Sequence, residues 1–131
     1  MEDVGRGYGR NDKVAFARQM CDRTKAASIE IINLMDRLPS SPALNNVRFQ
    51  LIKSATSVAA NYRAACRARS RKEFYAKLSI TIEETDETIF WLEILRDSNI
   101  KVDAKTIDAL LPEWETFLRI FAKARKSMSS T

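Results

Sequence analysis

Beyond residue 10 this chain has no glycine, and its only prolines stand at 39, 42 and 112. Hairpins and tight strand connections need residues that accept a positive φ or that pre-set the turn. A strand-rich fold built from this sequence would lack its corners, so the chain is left with helices separated by a few breaks. At 131 residues, 45% of them apolar and 30% charged, it is sized for one core that buries roughly two-thirds of the unfolded surface. No run approaches the roughly 18 apolar residues of a membrane span. The opening Met1–Arg10 is polar and glycine-rich, without the apolar centre of a signal peptide. A cytoplasmic protein without membrane contact is expected.

Apolar residues recur at steps of three and four, the period of one helix face. From residue 12 to 38 the set is Val14, Ala17, Cys21, Ala27, Ile31, Leu34 and Leu38; Pro39 and Pro42 then interrupt it. Ser41 supplies a capping hydroxyl, and Pro42 at the first helical position gives up only an amide without a partner. Helix 2 is expected over 42–69, with Leu44, Val47, Leu51, Ser54, Val58, Tyr62 and Ala65 facing inward. Many small residues between them permit close helix approach. Ser70 and Glu73 form a capping-box pair that starts helix 3 at 71; the alternative is one long kinked helix through this point. Helix 3 carries Phe74, Leu78, Ile82, Thr85, Ile89, Leu92 and Leu95 to residue 98, where Asn99 suits a left-handed C-cap. Asp103 caps helix 4, expected over 103–126 with Ile107, Leu110, Trp114, Phe117, Phe121 and Ala124 inward, and Pro112 either kinks it or restarts it. Four such stripes predict an all-α, antiparallel up-down-up-down four-helix bundle over 12–126, flanked by a flexible arm at 1–11 and a flexible tail at 127–131.

Charge is segregated along the chain. Between Arg37 and Lys72 there is no acid, while Arg37, Arg48, Lys53, Arg63, Arg67, Arg69, Arg71 and Lys72 are basic; from Glu73 to Asp97 seven acids face only Lys77 and Arg96. At about 100° per residue, Arg48, Lys53, Arg63 and Arg67 fall largely opposite Leu51, Val58, Tyr62 and Ala65 on helix 2. A basic stripe turned away from the core attracts a polyanion and releases its counterions on contact. Two other readings stand beside it: ion pairs between helices 2 and 3, within or between subunits, and a merely solvated face.

Catalysis finds little to work with. Histidine is absent, which removes the commonest general base and metal ligand together. Glu83, Asp86, Glu87 and Glu93 have helical spacing, but bundle di-iron centres also use Glu-x-x-His pairs, so neither metal nor cofactor is expected. Cys21 and Cys66 fall on different helices, outside any CxxC motif, and are expected to be reduced and semi-buried. Cys66 has no base to complete a dyad. Trp91, Trp114, Phe90, Phe117 and Phe121 read as core or interface; Phe90 and Trp91, being adjacent, cannot both point inward, and one is expected to face a partner subunit.

The segment from Ser54 through Asn61 to Ala65, the Lys72–Leu78 stretch and Glu83–Leu95 together resemble the four-helix-bundle proteins encoded in intervening sequences of bacterial 23S ribosomal RNA genes. The resemblance covers roughly 12–126 and is strongest over 54–95. It implies a ring-like homopentamer, and a related member, the accessory protein of diversity-generating retroelements, implies RNA or DNA as partner together with a reverse transcriptase. By that analogy Arg63, Arg67, Arg69 and Arg71, with Arg48, Lys53 and Lys72 from the basic stripe, are the expected nucleic-acid contacts. The expected function is therefore a non-enzymatic oligomer that binds RNA through helix 2, or alternatively an adaptor whose basic helix 2 pairs with acidic helix 3 of a neighbour or with a protein partner. Pro112 departs from the uninterrupted fourth helix of similar proteins.

Overall fold

The structure, a computed structural model, describes residues 2–100 and 102–129, with side chains for 11–100 and 102–128. It has four helices in the order α1 (Glu2–Asp36), α2 (Pro42–Cys66), α3 (Arg71–Asp97) and α4 (Ala104–Ser129). Of the expected arm at 1–11, residues 2–11 continue α1; of the expected tail, 127–129 continue α4, and Ser130 and Thr131 lie outside the described residues.

The breaks follow the capping chemistry. Ser41 is extended (φ −156°, ψ 156°) and its hydroxyl accepts from the Leu44 amide at 3.1 Å, with Pro42 opening α2. Ser70 accepts from the Glu73 amide at 3.0 Å. Because α2 closes at Cys66 through tightened bonds from Arg67 to Ala64 and Ala68 to Ala65, α2 and α3 are separate helices, and α2 ends before the expected residue 69. Asn99 does not take the left-handed C-cap: no described non-glycine residue has positive φ. Ser98 closes the helix instead, extended at φ −85°, ψ 168°, its hydroxyl donating to the Leu95 carbonyl and receiving the Ile100 amide. Asp103 caps α4 by accepting from the Lys105 amide. Pro112 lies inside a continuous α4 on its exposed side. The helix neither ends nor restarts there, because solvent can serve the carbonyl that the missing amide leaves open. Ser41→Ala is expected to lower unfolding free energy by about 1 kcal/mol in urea titration; an unchanged midpoint would show that Pro42 alone sets the start of α2.

Packing is antiparallel where two contacts along a helix pair fix the direction. Cys21 meets Cys66, Ser28 meets Ala55 and Met35 meets Arg48 across α1 and α2. Arg71 reaches Met128 and Arg96 reaches Asp108 across α3 and α4. Ser54 and Thr88 join α2 to α3 at 2.9 Å. The core centres on Trp114, Phe117 and Phe121, with Met20, Ile31, Leu51, Leu78, Leu92 and Leu95 fully enclosed around them. Every inward position expected for α2 is buried, with Ala55 added. In α1, Ala27, Ile31 and Leu34 of the expected face are buried and Ala17, Cys21 and Leu38 half-buried, but Val14 is 55% exposed, and Met20, Thr24, Ser28 and Met35 are buried as well. Phe74, Ile89, Leu110 and Ala124 are half-buried against the core.

Candidate nucleic-acid interface

The basic residues of the sequence do not form one continuous ridge. Arg48 lies near the start of α2, half-buried. Its guanidinium donates to the carbonyls of Met35 (3.0 Å), Leu38 (2.7 Å) and Pro39 (2.9 Å) and to Asn45 Oδ1 (2.6 Å). These carbonyls belong to the end of α1 and the turn after it, where helical partners run out, so Arg48 caps α1 rather than standing free. Lys53 is exposed, its ammonium 6.0 Å from the ring centroid of Phe49, which is itself 62% exposed. A helical rise of 1.5 Å per residue puts Lys53 about 15 Å from Arg63.

Arg63, Arg67, Arg69, Arg71 and Lys72 do come together, around the α2–α3 connection. Arg63 and Arg67 are exposed, one turn apart. They line a groove of about 780 Å³ between α1 and α2, with Arg18 and Lys25 on its other bank and Asp22 as its acid. The Arg69 side chain is 91% exposed and lies 3.8 Å from Glu73, its i+4 neighbour. The Arg71 guanidinium donates to the Met128 carbonyl at 2.9 Å, which draws the end of α4 to this site. Lys72 is exposed in the first turn of α3. A reading of helix 2 alone misses Arg18 and Lys25, and with them Lys123, Arg125 and Lys126 of the α4 end. Their signal is topological, since an antiparallel bundle returns the end of α4 to the start of α3.

Charge pairing between α2 and α3 is absent at contact range. Among the described residues, no Lys or Arg of α2 lies within 4 Å of a carboxylate of α3. Close pairs among the described residues include Arg69–Glu73, Arg96 with Asp97 and Asp108, and Arg23–Glu113. Lys53 acts on Glu84 only at longer range, where burial first and Glu87 second raise the carboxyl above its ordinary value. Among the described residues no three His, Cys, Asp or Glu side chains gather as a metal-ligand set. Beneath the basic end lies a cavity of about 1260 Å³, bounded by Val14, Phe16, Tyr62, Phe74, Ile120 and Phe121.

The aromatic pairing divides as adjacency requires. Trp114 is buried, Trp91 half-buried and Phe90 50% exposed. Phe90 and Trp91 meet edge to face at 5.1 Å. Of the two thiols, Cys21 is half-buried but Cys66 is exposed, against the expectation that both would be semi-buried.

Residues 17–123 match the model of a protein family described as the 23S rRNA-intervening sequence protein. The chain belongs to this family. The match spans α1 from Ala17, all of α2 and α3, and α4 to Lys123, so Arg18, Lys25, Arg63, Arg67, Arg69, Arg71, Lys72 and Lys123 fall within the family's extent. A crystal structure of a protein of unknown function from the S23 ribosomal protein family of Bacteroides thetaiotaomicron VPI-5482 superposes with a TM-score of 0.76 at 25% identity, covering 84% of this chain and 97% of that one. No curated protein matches the chain. Among the described residues, no helix is long and apolar enough to cross a membrane.

Proposed function

We propose that this 23S rRNA-intervening sequence protein is a non-enzymatic RNA-binding protein whose contact surface is the basic end of the bundle. The observation that carries this reading is the grouping of Arg63, Arg67, Arg69 and Lys72 in exposed positions with Glu73 as the one carboxylate in contact range among the described residues. Arginines that are not paired within the chain keep their donors for phosphate oxygens. The arrangement suits backbone contact, which positions a nucleic acid without reading its sequence. Arg18 and Lys25 extend the surface across the α1–α2 groove, whereas Lys53 and Phe49 lie further along α2, away from it. Arg48, whose donors are taken by α1 carbonyls, stands outside this surface. A cytoplasmic location accords with such a role.

The double substitution Arg63→Glu/Arg67→Glu is expected to weaken binding of a single-stranded RNA oligonucleotide roughly a hundredfold at low salt and to flatten the salt dependence, with helicity by circular dichroism unchanged. Affinity that does not vary with salt, or retention equal to wild type, would refute the reading.

A second reading has its own support. α3 presents Phe90 and Ile94 on its exposed side among Glu93 and Asp97, a surface opposite in charge to the α1–α2 groove. Copies joined through these two faces would make a head-to-tail ring, five-membered as the family resemblance implies. Light scattering on the same double variant separates the two: a smaller particle with RNA affinity intact selects the adaptor reading.

A further inference from the structure

We propose that Cys21 and Cys66 form a reversible intramolecular disulfide that staples α1 to α2, made by exchange with a low-molecular-weight disulfide of the glutathione type. The two sulfurs lie 3.9 Å apart, the Cys21 thiol directed at Cys66 Sγ, and both are free. A disulfide requires about 2.05 Å between sulfurs, so the two thiols, which already face each other, have to close by roughly 2 Å. The helices are already close along this seam. Ser28, two turns along α1 from Cys21, places its hydroxyl 2.9 Å from the Ala55 carbonyl of α2, and small residues (Ala59, Ala60) fill the stretch of α2 between. The chain has no third cysteine to compete.

The pair divides the labour by exposure. Cys66 stands at the last turn of α2 in contact with solvent, beside Arg63 and Arg67, whose charges attract the carboxylates of a glutathione-type disulfide. Cys21 sits behind it. Burial first, then Cys66 and Asp22, push the Cys21 thiol up to about 11 against the opposing effect of Arg63, while the exposure of Cys66 makes it the sulfur that an incoming disulfide meets first. In the first step the Cys66 sulfur, having lost its proton, attacks one sulfur of the small disulfide; a new S–S bond forms and one thiolate departs, taking that proton. Next Cys21 loses its proton and attacks Cys66 Sγ, expelling the second small thiolate, which is protonated in turn. Two protein thiols are oxidised and one small disulfide is reduced to two thiols.

The test uses the full chain, equilibrated with glutathione disulfide and glutathione at graded ratios without denaturant. Intact mass should fall by two hydrogens with no added glutathione, and both free thiols should disappear together. The chain should remain a single copy on a non-reducing denaturing gel. Closing a loop over this 45-residue separation should raise the melting temperature by roughly 10 °C, reversed by dithiothreitol. Cys21→Ser should stop at one glutathione on Cys66, and Cys66→Ser should leave Cys21 unmodified. Persistent glutathione adducts on the wild type would overturn the proposal. So would a disulfide-linked dimer, or two intact thiols under conditions that modify Cys66 in the Cys21→Ser variant. None of these outcomes depends on RNA binding.

Discussion

Phe117→Ala is expected to cost about 3–5 kcal/mol of unfolding free energy, more than any substitution on the bundle's surface should. Phe117 has no exposure and touches each kind of support the core uses. Its ring meets Trp114 edge to face at 5.2 Å and lies nearly parallel to Phe121 at 6.1 Å; Phe121 in turn contacts Tyr62 of α2 at 4.9 Å. On its remaining side the Arg23 guanidinium stands 5.5 Å from the ring centroid. Arg23 is held there by a two-pronged ion pair with Glu113, one turn before Phe117. Truncation removes the ring and leaves a void that rigid aromatic neighbours cannot close. It also strips the cation of the face it covers, so α1 and α4 lose a tie as well as a filler. Against a total stability on the order of 10 kcal/mol, the melting temperature should fall by roughly 10–15 °C. Ile120→Ala, three residues away and half-buried, should cost well under half as much. A Phe117→Ala loss below about 1 kcal/mol would mean that the aromatic cluster is not the centre of the fold.

Arg48 carries the second large effect. Its guanidinium holds three carbonyls at and just beyond the end of α1, and Asn45 besides; hydrogen bonds from a charged donor contribute about 1.5–3 kcal/mol each at most, less when shared. Arg48→Ala should cost about 2–3 kcal/mol in chemical denaturation. Arg48→Lys should recover less than half of that, because an ammonium on one stem cannot reach carbonyls that a planar fork spans. RNA retention should be unchanged by either, provided the chain is folded. Full rescue by lysine would show that charge, not geometry, is what α1 needs there.

Both residues mark how far the sequence is legible. Phe117 is readable as core from its place in the Ile107–Phe121 stripe, since large apolar residues at helical spacing have one place to go. Arg48 is not. On a helical wheel it sits with Lys53 and Arg63, and nothing in its own helix signals that the end of α1 lies alongside; a cap made by a distant residue leaves no local pattern. The same limit explains α1. The apolar pattern places Ala27, Ile31 and Leu34 correctly, but it favours exposed Val14 and leaves out Met20, Thr24 and Ser28, which are buried. Thr24 and Ser28 can be buried because each hydroxyl returns to the carbonyl four residues back, and Ser28 also reaches Ala55. Thr81, Thr85 and Thr88 do likewise in α3. A hydroxyl that satisfies itself locally enters a core almost as an alanine or valine does, and a polar/apolar count reads it as surface. Caps are the more legible feature, since Ser41, Ser70 and Asp103 act on their own neighbours; Asn99 misleads because Ser98, one residue earlier, has already closed the helix. The basic site is half visible: its α2–α3 members are close in sequence, whereas Arg18, Lys25 and the α4 bases join it only through the fold.

That gathering of Lys and Arg at one end has a counterpart. In α4 and its cap the acids Asp103, Asp108, Glu113 and Glu115, with Lys105 as the one base among them, precede the bases Arg119, Lys123, Arg125 and Lys126, and α3 places most of its acids away from the Arg71 end. The two helices run oppositely, so the imbalances add instead of cancelling, and the α3–α4 half of the bundle carries an electric moment along its length. In the field of a negatively charged polymer such a particle experiences a torque before it experiences contact. If RNA is the partner, as proposed, the positive pole would turn forward during diffusion, and the approach would be aimed before any side chain met a phosphate.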